Sequence, residues 1–227
     1  MLAKVLRPHQ IRLARLLLLT GLCATGCRPP GLLPPTKGEW VSPAAPDSFE
    51  ITFETSRGPF VVRAHRDWSP AGADRLHDLI RRRVYDDLRV YRMIPGFVAQ
   101  FGLGASPEAS AAWQRLGIPD EPVGRENSRG RVSFARGGPR TRSLQIFINL
   151  GNNSPRLDTL TVGEVVGYPP IGEVTTGMEA VDLFSGEYGA APAQRQDSIR
   201  ALGNAWLDRT YPNLDRIYRA RITREWR

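Results

Sequence analysis

The stretch that most restricts what this chain can fold into is SFEITFETSRGPFVVRAH, residues 48–65. Phe49, Ile51 and Phe53 alternate with Glu50, Thr52 and Glu54, and a second run, FVVRAH, follows Ser56-Arg57-Gly58. A period of two puts one set of side chains on a buried face and the other in water, and a glycine between two such runs marks a hairpin. The folded part therefore opens with two antiparallel strands whose apolar face needs a sheet around it. Further strand-like runs follow at 88–94, 97–101, 131–135, 145–150 and about 162–174, separated by loops rich in Gly, Pro and Asn. Ser69-Pro70 offers an N-cap and a first-turn proline, with Ala73, Leu76, Ile80 and Val84 on one helical face. A second helix is expected at about 177–184. In the tail from 193, Ile199, Leu202, Ala205 and Trp206 mark a short amphipathic helix ended by Pro212, and IYRARI (217–222) could close the sheet. Many short strands without βαβ alternation argue for an antiparallel sandwich or a closed barrel.

The first residues do not belong to that body. MLAKVLRPHQIRLARLLLLTGLCATGC carries Lys4, Arg7, Arg12 and Arg15, no acidic residue, and then an apolar run from Leu16 to Leu22. That order is the order of a secretory signal, and the run is far shorter than the roughly 20 residues a membrane span needs. Ala24-Thr25-Gly26-Cys27 resembles a bacterial lipoprotein processing site, which implies lipidation at Cys27; ordinary cleavage and an uncleaved anchor are the other outcomes. The expected organisation is a signal over 1–27, a Pro-rich flexible tether over 28–46 and a folded domain over 47–227. The expected location is the cell envelope or periplasm, with the membrane reached through an N-terminal lipid anchor. No cysteine follows Cys27, so the body has no disulfide and no thiolate chemistry.

Composition excludes several function classes. The formal charge is +8 from 31 Lys+Arg and 23 Asp+Glu, but four of the basic residues sit in the signal and the rest are scattered. A nucleic-acid surface would show a basic stripe with interleaved aromatics, so no nucleic-acid partner is expected. His65 and His77 are isolated, without the spacing of a metal site. Gly102-Leu103-Gly104 lacks the context of a dinucleotide fingerprint, and no phosphate-binding loop or GxSxG occurs. No cofactor and no metal are expected. What remains is a β domain with arginine, glutamine and aromatics inside its strands, most densely in RVYRMIPGFVAQFG, residues 89–102.

Here a resemblance enters. VYDDLRVYRMIPGFVAQFG (84–102) and RGRVSFARGGPRTRSLQIFINL (129–150) resemble the two long motifs of the cyclophilins. RLD (156–158) and PPIGEVTTGMEAVDLF (169–184) resemble two shorter ones in the right order, and PDE (119–121) and the tail LGNAWLDRTYPNLDRI are similar to segments of bacterial members. The resemblance implies a mainly β fold, a closed eight-stranded antiparallel barrel capped by two helices, here with a C-terminal helical extension. Side chains fill so small a barrel, so the substrate would lie on its outer face. It also implies peptidyl-prolyl cis/trans isomerisation, acting as a monomer on proline-containing segments of unfolded or exported proteins. Arg92 would take the catalytic role. Phe97, Val98, Phe147 and Leu157 would grip the proline, Gln100 and Gln145 would hold the substrate backbone, and Ala135 and Arg136 would pair with the preceding residues. Tyr168 stands where a pocket histidine is common.

Several positions depart from the family pattern: Tyr91 for His, Phe101 for Gly, Ile146 for Phe and Arg156 for an aromatic residue. They leave a second reading open, a peptide-binding or chaperone module with little turnover. One geometric expectation is sharp. Phe97 and Gln100 are three residues apart, so a regular strand would point them to opposite faces. Convergence of Arg92, Phe97, Gln100 and Phe147 therefore requires an irregular turn around Pro95-Gly96-Phe97.

Overall fold

The computed structural model describes residues 31–34 and 41–227. The signal segment 1–27, with Cys27, lies outside the described residues. The alternating opening forms the expected hairpin, β1 (Ser48–Thr55) and β2 (Phe60–His65), followed by helix α1 (Pro70–Arg81). The run at 88–94 divides into β3 (Leu88–Arg89) and β4 (Arg92–Ile94), and β5 (Val98–Phe101) completes a second hairpin. Next come α2 (Pro107–Gln114), β6 (Arg131–Phe134), β7 (Ile146–Asn149) and α3 (Ser154–Thr159). A small separate hairpin of β8 (Thr161–Val162) and β9 (Val165–Val166) precedes β10 (Pro170–Thr176) and the short α4 (Met178–Asp182). The tail supplies a 3-10 turn (Pro192–Arg195), α5 (Gln196–Thr210) and a long strand, β11 (Arg216–Trp226).

Nine strands form one curled antiparallel sheet in the order β3-β11-β1-β2-β10-β6-β7-β5-β4. The closed eight-stranded barrel is thus corrected to an open half-barrel with β3 and β4 as its two edges. Only Val90 and Tyr91 separate these edges in the chain, yet they do not pair with each other. The tail occupies the seam: Val90 N donates to Asp215 O (2.9 Å) and Met93 N to Gly189 O (3.1 Å). Two capping helices are likewise too few, since α2 and α3 also form and α5 packs beside α2.

The sheet curls around Phe49, Ile51 and Phe53, all fully buried, with Phe60, Leu76, Phe101, Phe134 and Ile148 beside them. Phe53 stacks on Phe60 at 4.7 Å and meets Phe101 edge-on at 5.8 Å. Phe101 therefore has an inward place and fills core where the family pattern has a glycine. Helix α1 starts at Pro70 as expected, but Ser69 does not cap it through its side chain. The Glu121 carboxylate takes that role, accepting from Ala71 N (2.7 Å), Gly72 N (3.3 Å) and the Ser69 hydroxyl. A carboxylate at a helix N-terminus satisfies free amides and complements the helix dipole.

Helix α5 breaks at Gly203, whose φ of +63° is a left-handed conformation. A Cβ there would stand 2.7 Å from the Gly104 carbonyl oxygen, so glycine lets the tail press onto the loop before α2. Parts of the expected tether also lie on the body: Trp113 Nε1 donates to Leu32 O (3.0 Å) and Ala45 N to the Asp74 carboxylate (2.8 Å).

Candidate active site

Strand register builds the site. Arg92 lies opposite Gln100, Gln100 opposite Phe147, and Phe147 opposite Ser133, so one row of side chains crosses β4, β5, β7 and β6. Residues directly opposite in a sheet share a face, here the face turned away from the main core. Val98 joins this face two residues from Gln100, whereas Ala99 and Phe101 point into the core.

The three-residue problem is resolved between β4 and β5. Pro95, Gly96 and Phe97 form a turn closed by Phe97 N donating to Ile94 O (2.9 Å), and Gly96 takes φ +72°, which glycine adopts without Cβ strain. Phe97 thereby leaves the strand alternation, and the Arg92 guanidinium lies 5.5 Å from its ring centre. Arg156 lies over the same ring at 5.2 Å. Phe97 is thus flanked by two cations.

Val98, Phe147 and Leu157 form a small buried apolar cluster separate from the main core, with Phe97, Ala135 and Tyr168 packed around it. Phe147 and Tyr168 meet edge to face at 5.7 Å. Polar side chains brace this cup from behind. Asn127 Nδ2 donates to Asp158 Oδ1 (2.7 Å) and to Tyr168 O (2.8 Å), tying the segments that carry Leu157 and Tyr168. Asn153 Nδ2 donates to Phe97 O (2.8 Å) and Asn149 Oδ1 (2.8 Å), which fixes the turn. Asn127 and Asn149 are fully buried, where polar groups must be paired to be tolerated.

The polar side of the groove is one hydrogen-bonded chain. Arg92 Nη1 donates to Gln100 Oε1 (3.1 Å), and Gln100 Nε2 donates to Tyr91 Oη (3.3 Å) and Gln145 Oε1 (3.2 Å). Tyr91 Oη donates to Gln145 Oε1 (2.6 Å), and Gln145 Nε2 donates to Gln196 Oε1 (3.3 Å) on α5. Burial pushes the Tyr91 hydroxyl's pKa up, so it stays a neutral donor. Burial also lowers the Arg92 pKa, with repulsion from Arg156 adding to it and nearby tyrosines opposing it. An arginine so shifted remains a cation at neutral pH. Its Nε is buried without a hydrogen-bond partner, so the guanidinium keeps unused donor capacity.

All ten residues singled out for catalysis and peptide binding line one groove of about 750 Å³: Arg92, Phe97, Val98, Gln100, Ala135, Arg136, Gln145, Phe147, Leu157 and Tyr168. Besides the members of that polar chain, Ala135 and Arg136 are already partly committed. Ala135 N donates to Gln145 O (2.8 Å). Arg136 Nη2 donates to Val165 O (2.8 Å), with its guanidinium 5.0 Å from the Tyr168 ring centre and 3.8 Å from Asp120. Arg136 therefore braces Tyr168 and the β8–β9 hairpin, and it is less free to reach a peptide than its sequence position suggested. Sequence reasoning missed Tyr91 as a linker within the site. It also missed the wall made by Ala193, Gln196 and Arg200, for which no local motif exists.

Comparison with known proteins places this geometry. Residues 50–204 match the family described as cyclophilin type peptidyl-prolyl cis-trans isomerase/CLD. A peptidyl-prolyl cis-trans isomerase-like 3 of Gibberella zeae is 31% identical over 144 residues, covering 59% of this chain and 84% of its own. Peptidyl-prolyl cis-trans isomerase A of Dickeya dadantii is 28% identical over 144 residues, covering 63% and 74%. Among solved structures, a cyclophilin type isomerase of Cryptosporidium parvum superposes with a TM-score of 0.57 at 16% identity, covering 78% of this chain and 99% of that one. A second structure of that protein, determined in the presence of the dipeptide Ala-Pro, gives 0.52.

Proposed function

The chain belongs to the cyclophilin-type peptidyl-prolyl cis-trans isomerase family, and from that premise we propose that the outer-face groove isomerises X-Pro bonds in exported proteins. Rotation about the prolyl amide must break its resonance against a barrier of ~18–20 kcal/mol, and unaided it takes tens to hundreds of seconds. A catalyst need only bind the twisted amide better than either planar form, with no covalent intermediate. The proline ring seats in the cup of Phe97, Val98, Phe147, Leu157 and Tyr168. As the amide twists, the prolyl nitrogen regains its lone pair, and Arg92 donates to it. Each tenfold in rate requires ~1.4 kcal/mol, within reach of one charge-assisted hydrogen bond present only in the twisted state.

The observation that carries this reading is the arrangement of Arg92. It is held by Gln100, half-buried, with an unpartnered donor, and it faces the ring that floors the apolar cup. Gln100 and Gln145 then align the peptide backbone, and Arg136 acts through Tyr168. The test is an NMR exchange or protease-coupled assay on X-Pro peptides. The wild-type protein accelerates isomerisation and Arg92→Ala loses most of the effect. No acceleration by the wild type would end the isomerase reading, and an unchanged Arg92→Ala would misassign the mechanism.

We place the work of this enzyme in the cell envelope, as a monomer tethered through lipidated Cys27, on the charge-then-apolar order of residues 4–22. A Cys27→Ser variant loses the lipid mass and leaves the membrane fraction. Retention of both would refute the tether.

A further inference from the structure

Four arginines line the groove, Arg92, Arg136, Arg156 and Arg200, and among the described residues no aspartate or glutamate does. Arg92 faces the cup and Arg136 is tied to Val165, Tyr168 and Asp120, which leaves Arg156 over Phe97 and Arg200 on the tail wall. Arg200 comes from α5, after the 3-10 turn, and reaches the polar chain through Gln196: its Nη2 donates to Gln196 Oε1 (2.8 Å), the same oxygen that accepts from Gln145. Its Nη1 contacts Asp197 Oδ1 (2.7 Å), and its Nε is buried without a hydrogen-bond partner. The Asp197 side chain is fully exposed, and an ion pair with such a partner is worth little, so displacing it costs little. Arg136 faces Asp120 at 3.8 Å and Arg200 pairs with Asp197, which leaves Arg92 and Arg156 without a carboxylate partner among the described residues and gives the groove a net positive lining that attracts anions.

We propose that the C-terminal extension makes this groove selective for X-Pro segments with an aspartate or glutamate flanking the X-Pro pair, the carboxylate docking on Arg200 where the peptide passes Gln145. This rests on the isomerase reading only in assuming that a proline peptide lies along the groove. With Nη2 on Gln196 and Nε buried, Nη1 is the donor that exchanges Asp197 for the peptide, and a charge-assisted bond from it suits a side-chain carboxylate better than a neutral amide. The segment that carries it, beyond β10, thus sets which prolines are chosen, while β4, β5 and β7 perform the rotation.

The experiment uses Ala-Pro peptides of one length with Glu, Gln or Lys at each flanking position. Binding is read by fluorescence anisotropy and turnover by NMR exchange, for the wild type, Arg200→Gln and Arg200→Lys. At low ionic strength the wild type prefers Glu over Lys at one flank by about tenfold, and Arg200→Gln reduces that ratio about fivefold, the scale of one partly exposed ion pair. Arg200→Lys retains most of the preference, and added salt shrinks it. Equal binding of Glu and Lys peptides overturns the proposal. So does a preference that survives Arg200→Gln and vanishes with Arg156→Gln, which would place the carboxylate at the cup. A Glu preference in binding without any acceleration sinks the isomerase reading and leaves this one standing. Acceleration without charge preference does the reverse.

Discussion

The molecule holds two apolar regions made from the same strands. Strand β5 sends Ala99 and Phe101 inward and Val98 and Gln100 outward, and β7 sends Ile146 and Ile148 inward and Phe147 and Asn149 outward. The inner region is large and covered by the sheet, α1, α2, α4 and α5, so dense packing holds its phenylalanine rings. The outer cluster has three buried members, too few to fix their own positions, and it depends on the Asn127, Asp158, Asn149 and Asn153 network. A core is held by density, whereas a binding cup open to solvent must be held by directed bonds from behind.

Substitutions in the two regions should separate stability from catalysis. The largest effect is expected from Phe53→Ala in the inner region. Loss of a fully buried ring costs about 3–5 kcal/mol, read as a large fall in melting temperature with little change in kcat/KM per folded molecule. Arg92→Ala reverses the pattern, lowering kcat/KM on an X-Pro peptide by about 10²-fold or more while the melting temperature stays near wild type. Leu157→Ala lies between them. It opens the cup, raises KM about tenfold and lowers stability by about 2 kcal/mol, since its site is buried but collapsible. Tyr91→Phe has the smallest effect and sharpens the comparison most, because the Tyr91 ring sits in the inner region and its hydroxyl in the outer network. It should cost about 1 kcal/mol of stability and lower kcat severalfold, as Gln100 and Gln145 lose a shared partner. If Tyr91→Phe changed only stability or only activity, the two regions would not be coupled through this residue.

The hairpin β1–β2 was legible because strict alternation specifies both face and length. The ten groove residues were legible through motifs, and even the irregular turn at Pro95-Gly96-Phe97 followed from counting residues along an extended strand. Helix α2 carries the same Ser-Pro start as α1, and Ser106 Oγ there does accept from Ala109 N (3.2 Å), so a local signal marks this helix as well. The open sheet is a different matter. Whether β3 and β4 pair depends on the carbonyls of Gly189 and Asp215, more than ninety residues away in the chain, and no local pattern reports that. The wall of Gln196 and Arg200 was hidden for the same reason. Its polar residues read as the solvent face of an amphipathic helix, and the long-range docking of buried Ile199 and Leu207, with Asn204 N on Gly104 O, sets that helix beside the groove.

The pairing of β1 with β11 also governs when the enzyme comes into being. Ser48 lies opposite Trp226 and Thr55 opposite Ile217, so the first strand of the sheet has the last as its neighbour. Loop closure over such a separation is slow and must await residues 216–226. The hairpin β1–β2 can form early from neighbouring residues, but the nine-stranded sheet is completed only once β11 is available to pair with β1 and β3. A truncation at Thr210 would keep every residue of the groove yet leave β1 with β2 as its one remaining neighbour.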